Sequence, residues 1–231
     1  MDQRRQSSVA ANGQSQTGLP LRHIFLLLCA VIGVFIFVDA LFFAQGASLK
    51  REGGGLETVS AVLYVCAVAV FFKSVPRSFQ APLWQVPALM TFFALRELDF
   101  DKRFTPSGVL SSNLYLDANA LGTKLIAGCV ILLFFLVIYR MLRHGAPSLL
   151  RGLRARESWA FFVLAAFLLT FVAKSVDGLG RKLGGIGINV PERVDAIASV
   201  FEEVGEAFIP VLAILALVAY WKSYAYHGET G

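Results

Sequence analysis

The chain has 231 residues, of which 56% are hydrophobic and only 16% are charged, and its mean hydropathy is +0.64. Soluble domains usually carry about 25% charged residues, so this composition excludes an ordinary soluble enzyme, a disordered regulator and a fibrous protein. The net charge of +5 does not indicate a nucleic-acid partner, because the basic residues are scattered among apolar runs. We therefore expect an integral membrane protein in contact with membrane lipids. The sequence leaves open whether it forms a homo-oligomer or has a membrane-protein partner.

Six apolar segments predict an all-α, polytopic membrane protein, a bundle of six transmembrane helices. A polar tail, 1–22, precedes the predicted membrane domain, 23–223, and a short tail, 224–231, follows it. No internal repeat or second domain is recognisable. The predicted helices are approximately 23–45, 57–73, 83–103, 121–142, 157–177 and 199–222.

The basic residues predict the orientation of the bundle. The loop 140–157 is the densest basic stretch, and the positive-inside rule places it, and with it both termini, in the cytoplasm. We expect the membrane to be a bacterial plasma (inner) membrane. With this orientation only three of the 16 acidic residues lie on the cytoplasmic side, namely Asp2, Glu157 and Glu229. The others lie in outer loops or in the outer halves of helices.

The sixth segment concentrates carboxylates on one helix face. Its apolar run, 207–221, would span only about 22 Å against a hydrocarbon core of about 30 Å, so the helix must extend backward through Glu206, Glu203 and Glu202. These three glutamates share one stripe, and Pro210 leaves the carbonyl of Glu206 without its helical partner. Clustered carboxylates in a low dielectric need a cation or a proton, so the three are candidate catalytic acid or base residues.

The same glutamates are the candidate ligands of any metal. Any bound ion would be an oxygen-ligated divalent cation such as Mg²⁺, Ca²⁺ or Mn²⁺, because none of the three histidines lies near the stripe. The alternative interpretation is an interfacial helix whose glutamates face water.

Charged residues on other segments are candidate partners of a substrate. The short run 83–95 must extend into the charged segment 96–103, and an arginine emerging from it could clamp a phosphate or carboxylate. A self-neutralising helix end is the alternative. The candidate substrate-binding residues are Arg96, Glu97, Asp99, Lys174, Asp177 and Glu57. With Lys124 and Asp39, all six helices carry an ionisable group near one end, which predicts a shared polar cavity.

Other features narrow the function only in part. The glycine-rich segment 178–187 matches no phosphate-binding motif and is predicted to be a flexible loop. No serine-nucleophile or haem-ligation motif is present. Three hypotheses remain. They are an enzyme or binding protein acting on lipid-linked or headgroup substrates at the outer face, a small transporter or proton-coupled subunit, and a non-catalytic assembly or sensory subunit.

The predicted orientation can be tested with reporter fusions. We expect fusions at the C-terminus and within 140–157 to report the cytoplasm, and fusions within 174–198 to report the outside. A periplasmic or lumenal signal from 140–157 would reverse the bundle and move the acidic site to the cytoplasmic face.

Overall fold

The computed structural model of the chain describes residues 20–42, 55–100, 102, 108–109, 114–115, 121–185 and 187–228. The described part is almost entirely helical and contains no strand, which confirms the predicted all-α fold. Five of its helical stretches are long and apolar enough to cross a membrane, as expected for an integral membrane protein. The six-span bundle and its orientation stay predictions.

The α-helical segments are numbered in the order in which they occur along the chain. We number them α1 (Leu21–Phe42), α2 (Gly55–Ser74), α3 (Arg77–Gln80), α4 (Gln85–Glu97), α5 (Leu121–Arg140), α6 (Ala146–Arg154), α7 (Ser158–Val176), α8 (Leu179–Gly184) and α9 (Glu192–Gly228).

Helix α4 is shorter than the helix predicted over 83–103. It has 13 residues, about 20 Å of helix, and ends at Glu97. The backbone N–H of Leu98 bonds to the carbonyl of Ala94, and Asp99 adopts a positive φ of 46°. Aspartate tolerates this left-handed conformation better than most residues, and it ends the helix there. It packs against both α2 and α5. It is not one of the five helices that are long and apolar enough to cross a membrane.

The basic segment predicted as a loop is largely helical. Helix α5 continues through a π-helical turn, Met141–Gly145, into α6, so the predicted helix end at residue 142 and the loop 140–157 are both corrected. In the π turn the N–H of Ala146 bonds to the carbonyl of Met141. The wider turn directly precedes Pro147, which lacks an N–H and clashes with a regular preceding turn. The helical run therefore passes the proline without ending.

The last helix is the longest described element. Helix α9 has 37 residues, about 56 Å, and begins at Glu192 rather than near residue 199. Its first turn is closed by the carbonyl of Pro191, which accepts the N–H groups of Val194 and Asp195. Asp195 also accepts the N–H of Gly180 at 2.8 Å, which docks α8 against α9. The glycine-rich segment thus contains a short helix where a flexible loop was predicted.

Helix α9 forms the centre of the described bundle. It packs along α7 and α2, and α1 contacts both α2 and α9. Large apolar side chains such as Leu27, Leu132 and Phe167 remain exposed on α1, α5 and α7. This outward apolar surface is what a lipid-facing helix presents. The buried core between α1, α2 and α9 consists of Ile32, Leu56, Leu63, Ala67, Ala207, Val211, Ile214 and Leu215.

One glycine sets the approach of α6 to α7. Gly152 is buried, and a Cβ at this position would lie 2.5 Å from the Trp159 ring and 2.9 Å from the Cβ of Ala160. We expect Gly152→Ala to lower stability by about 1–3 kcal/mol through overpacking, measured as a lower Tm of the detergent-solubilised protein. Gly128→Ala is the matched control, because nothing lies within 4 Å of its added methyl group. Equal Tm values for the two variants would contradict this packing.

Candidate functional site

An ion-pair network joins the C-terminal end of α7 to the N-terminal half of α9. The Nζ of Lys174 lies 2.6 Å from Oε1 of Glu206 and 3.0 Å from Oε1 of Glu202. Asp177, three residues further along, lies 3.5 Å from the same ammonium. One lysine therefore holds three carboxylates, two of which belong to another helix. We call this end of the bundle the cluster end.

Small residues lie where α7 and α9 are in contact at this level. Ala173 is fully buried, and a Cβ added to Gly205 would lie 3.6 Å from the Cβ of Ala173. Lys174 follows Ala173 directly, and Glu206 follows Gly205. The contact between the two helices thus places a cation and a carboxylate near each other, and the long lysine side chain spans the remaining distance.

Helix α4 supplies a second cation. The NH2 group of Arg96 lies 3.5 Å from Oε1 of Glu206, and its NH1 group lies 3.7 Å from Oε1 of Glu97. The side chain of Arg96 is 55% exposed, whereas those of Glu97 and Glu206 are only 5% and 11% exposed. Glu206 is therefore the carboxylate shared by both cations, and Arg96 is the partner that also faces the surroundings.

Beside Arg96 lies an open cleft of about 260 Å³. On the same helix as Glu57, Ser60 and Tyr64 are buried and belong to the packed interior. The cleft offers four carboxylates and two cations to a ligand, and one of those cations, Lys102, pairs with Asp99 at 2.8 Å. Every side chain that lines the cleft is ionisable: Glu57, Arg96, Glu97, Asp99, Lys102 and Glu206.

The structure brings together some of the predicted site residues but not all. Glu203 makes no hydrogen bond or ion pair within the described residues, and it does not line the cleft. The adjoining ion-pair network contains Lys174, Asp177 and the candidate catalytic residue Glu202. The cleft itself is lined by Arg96, Glu97, Asp99, Glu57 and the candidate catalytic residue Glu206.

The described cleft does not involve all six predicted helices. The ammonium of Lys124 donates to the carbonyl of Tyr115 at 2.9 Å, and Lys124 does not line the cleft. The side chain of Asp39 lies outside the described residues. The described site is built from α2, α4, α7 and α9, together with the turn that follows α4. Sequence reasoning missed the contribution of Lys102, although its spacing of three residues from Asp99 was a usable signal.

No three acidic, histidine or cysteine side chains come together as a ligand set for a metal ion in the part of the chain that the structure describes. The ammonium of Lys174 contacts both Glu202 and Glu206. That these two residues and Glu203 hold a divalent cation stays a prediction from the sequence.

Comparison of the chain with protein-family models, with curated proteins and with solved structures gives no significant match.

The ion-pair network can be measured with a double-mutant cycle. Lys174→Met leaves Glu206 and Glu202 without their closest cation. We expect it to lower the free energy of unfolding by about 1 kcal/mol or more. Breaking an exposed ion pair costs ~0–1 kcal/mol and breaking a buried one ~3–5 kcal/mol, and this partly buried pair lies between them. In a Glu206→Gln background the loss should shrink, with a coupling of about 0.5–3 kcal/mol. Thermal unfolding in detergent gives both values.

Glu192→Gln is the control for this cycle. Glu192 lies exposed in the first turn of the same helix as Glu206 and makes no ion pair within the described residues. Its combination with Lys174→Met should therefore be additive. Additive effects for Glu206→Gln as well would mean that Lys174 and Glu206 do not share a low-dielectric site.

Proposed function

We propose that this integral membrane protein binds the polar headgroup of a lipid or lipid-linked substrate in the cleft at the cluster end of the bundle. The observation that carries the proposal is the lining of the cleft, in which all six side chains are ionisable although the long helices of the bundle are apolar. Ionisable groups in a membrane domain are costly and usually functional. From the sequence we expect this end to be the outer face.

The balance of charge in the cleft supports a particular class of headgroup. Four carboxylates and two cations line it. A strongly anionic group such as a pyrophosphate would be repelled by the carboxylates. Hydroxyl and amino groups would instead donate hydrogen bonds to them, and hydrogen bonds to charged acceptors are the stronger kind. The proposed substrate is therefore a hydroxyl- or amine-bearing headgroup with at most one anionic group.

Arg96 is the proposed anchor for that single anionic group. Its guanidinium is half exposed beside the cleft, and its two carboxylate contacts, at 3.5 and 3.7 Å, are long. The planar fork of an arginine can engage a phosphate with two parallel hydrogen bonds. A phosphodiester bound there would leave the rest of the headgroup to the carboxylates of the cleft.

If the protein is an enzyme, Glu206 is the best-placed acid or base. Among the three glutamates predicted to be catalytic, it is the one that lines the cleft. Its side chain is nearly buried and contacts both Lys174 and Arg96, which hold it in place. General acid–base catalysis requires such a positioned group within hydrogen-bond reach of the substrate. Glu202 is proposed to orient Lys174, and no contact with the residues that the structure describes supports a catalytic role for Glu203.

A proton-coupled carrier is the second candidate function. The excess of carboxylates over cations in the network favours it, because Arg96 and Lys174 together contact four carboxylates. The remaining negative charge has to be balanced by protons, by another cation or by the substrate itself. The four carboxylates belong to Glu97, Asp177, Glu202 and Glu206.

Arg96→Gln and Glu206→Gln test the proposal. We expect the purified full-length chain, incubated with a bacterial lipid extract, to retain a lipid species with a hydroxyl- or amine-bearing headgroup in native mass spectrometry. Each substitution should reduce the retained species roughly tenfold, because each removes a charged hydrogen-bond partner. Arg154→Gln, on the exposed surface of α6, is the matched control and should have no effect.

The outcomes separate the three hypotheses. Retention that is unchanged in both variants would contradict headgroup binding in the cleft. Proton flux in proteoliposomes that Glu206→Gln abolishes, without any change in lipid retention, would favour the carrier. If neither property changes while the variants lose a co-purifying membrane protein, the charges serve as a docking surface.

A further inference from the structure

A second pocket lies at the opposite end of the bundle, where α6 and the first turn of α7 meet the last turns of α9. Its volume is about 290 Å³. Tyr220, which lines it, follows Glu206 by 14 residues on the same helix, a distance of about 21 Å. This pocket is therefore separate from the cleft. Its polar and aromatic lining comprises Ser148, Arg151, Glu157, Trp159, Tyr220 and Ser223.

The tryptophans indicate the level of this pocket relative to the membrane. All three tryptophans of the chain lie at this end, which we call the tryptophan end. The rings of Trp159 and Trp221 both pack against Tyr220, and Trp84 lies under the guanidinium of Arg140. Tryptophan and tyrosine concentrate at the headgroup level of membrane proteins. We therefore expect the pocket to lie at the level of the lipid headgroups.

A cation in this pocket has no carboxylate partner among the described residues. Arg151 is exposed, and its hydrogen bonds go to the carbonyl of Pro147 and the hydroxyl of Ser148, both on its own helix. Its guanidinium is therefore held beside the pocket, and its charge is available for an anionic group such as a phosphate.

An oriented carboxylate lines the same pocket. Oε2 of Glu157 accepts hydrogen bonds from the indole N–H of Trp159 and from the hydroxyl of Ser223, the latter at 2.8 Å. Its other oxygen, Oε1, accepts none from the described residues. The two bonds fix the carboxylate between α7 and α9. Although Arg151 and Glu157 line one pocket, they do not pair with each other, so each is left to meet an opposite charge on a ligand.

We propose that this pocket binds the phosphate–ammonium headgroup of an aminophospholipid. The phosphate accepts hydrogen bonds from the guanidinium of Arg151. The ammonium donates to Oε1 of Glu157, with the aromatic ring of Trp159 beside it. A purely anionic headgroup would place no positive charge opposite Glu157. The exposed side chains of Leu150 and Phe161, on two of the three helices that form the pocket, give the acyl chains an apolar surface.

Lipid competition on the intact protein tests this proposal. The full-length chain in detergent is incubated with equal amounts of dioleoyl phosphatidylethanolamine, phosphatidylglycerol and phosphatidylcholine, and bound lipids are counted by native mass spectrometry. We expect preferential retention of phosphatidylethanolamine. Arg151→Gln should reduce it roughly tenfold, and Glu157→Gln should abolish the preference over phosphatidylglycerol while its amide oxygen still accepts from Trp159.

Three further variants make the result specific to this pocket. Arg154→Gln removes a charge from the same helix outside the pocket and should not change the preference. Glu206→Gln serves as the background in which all the pocket variants are compared, so that lipid held in the cleft does not contribute to the count. Arg151→Lys should retain most of the binding, which separates loss of charge from loss of folding. An equal loss in Arg154→Gln, or a wild-type chain without preference for phosphatidylethanolamine, would overturn the proposal.

A last arm distinguishes the membrane lipid from its free headgroup. Free phosphoethanolamine carries the same two charges but no acyl chains. We expect millimolar phosphoethanolamine to displace little bound phosphatidylethanolamine, because the acyl chains contribute much of the binding free energy. Complete displacement would identify a soluble phosphate–ammonium compound as the ligand and would overturn the assignment to a membrane lipid.

Discussion

The contact between the ammonium of Lys174 and the carboxylate of Glu206 is the constraint on which the charged end of the bundle depends. A carboxylate that is only 11% exposed, in a helix of a membrane protein, needs a compensating charge, because desolvating it alone costs several kcal/mol. Lys174 supplies that charge from α7 at 2.6 Å. The pair lies where the two helices are in contact, since the positions directly before it, Ala173 and Gly205, are both buried between α7 and α9.

The two ends of α9 carry different chemistry. At the cluster end it contributes Glu202 and Glu206 to a network in which four carboxylates contact two cations, and at the tryptophan end it contributes Tyr220 and Ser223 beside Arg151 of α6. A single helix of 37 residues therefore takes part in both the cleft and the second pocket. Under the two proposals a headgroup binds at each end of the bundle. One meets mainly acidic side chains, and the other meets one cation and one carboxylate.

Much of the site could be predicted from the sequence, and what could not was decided by backbone detail. Apolar runs located the long helices, and helical periodicity placed Glu202 and Glu206 on one face, where Lys174 meets both. The same periodicity could not separate Glu203 from its neighbours, because a stripe about 100° wide does not show which member faces the partner helix. The end of α4 depends on the left-handed backbone conformation of Asp99, and a hydrophobic pattern does not predict the conformation of a single residue.

The two cations that share Glu206 are not equivalent, and their difference bears on how the cleft could accept a ligand. Lys174 and Arg96 both contact Oε1, at 2.6 and 3.5 Å. If an anionic group drew Arg96 away, Glu206 would keep its closer partner and would not be left uncompensated. Moving Lys174 would instead leave both Glu206 and Glu202 without their closest cation. The exposed arginine is thus the cation that can leave Glu206 for an anionic ligand at low cost in stability. The lysine is the cation that keeps α7 and α9 paired.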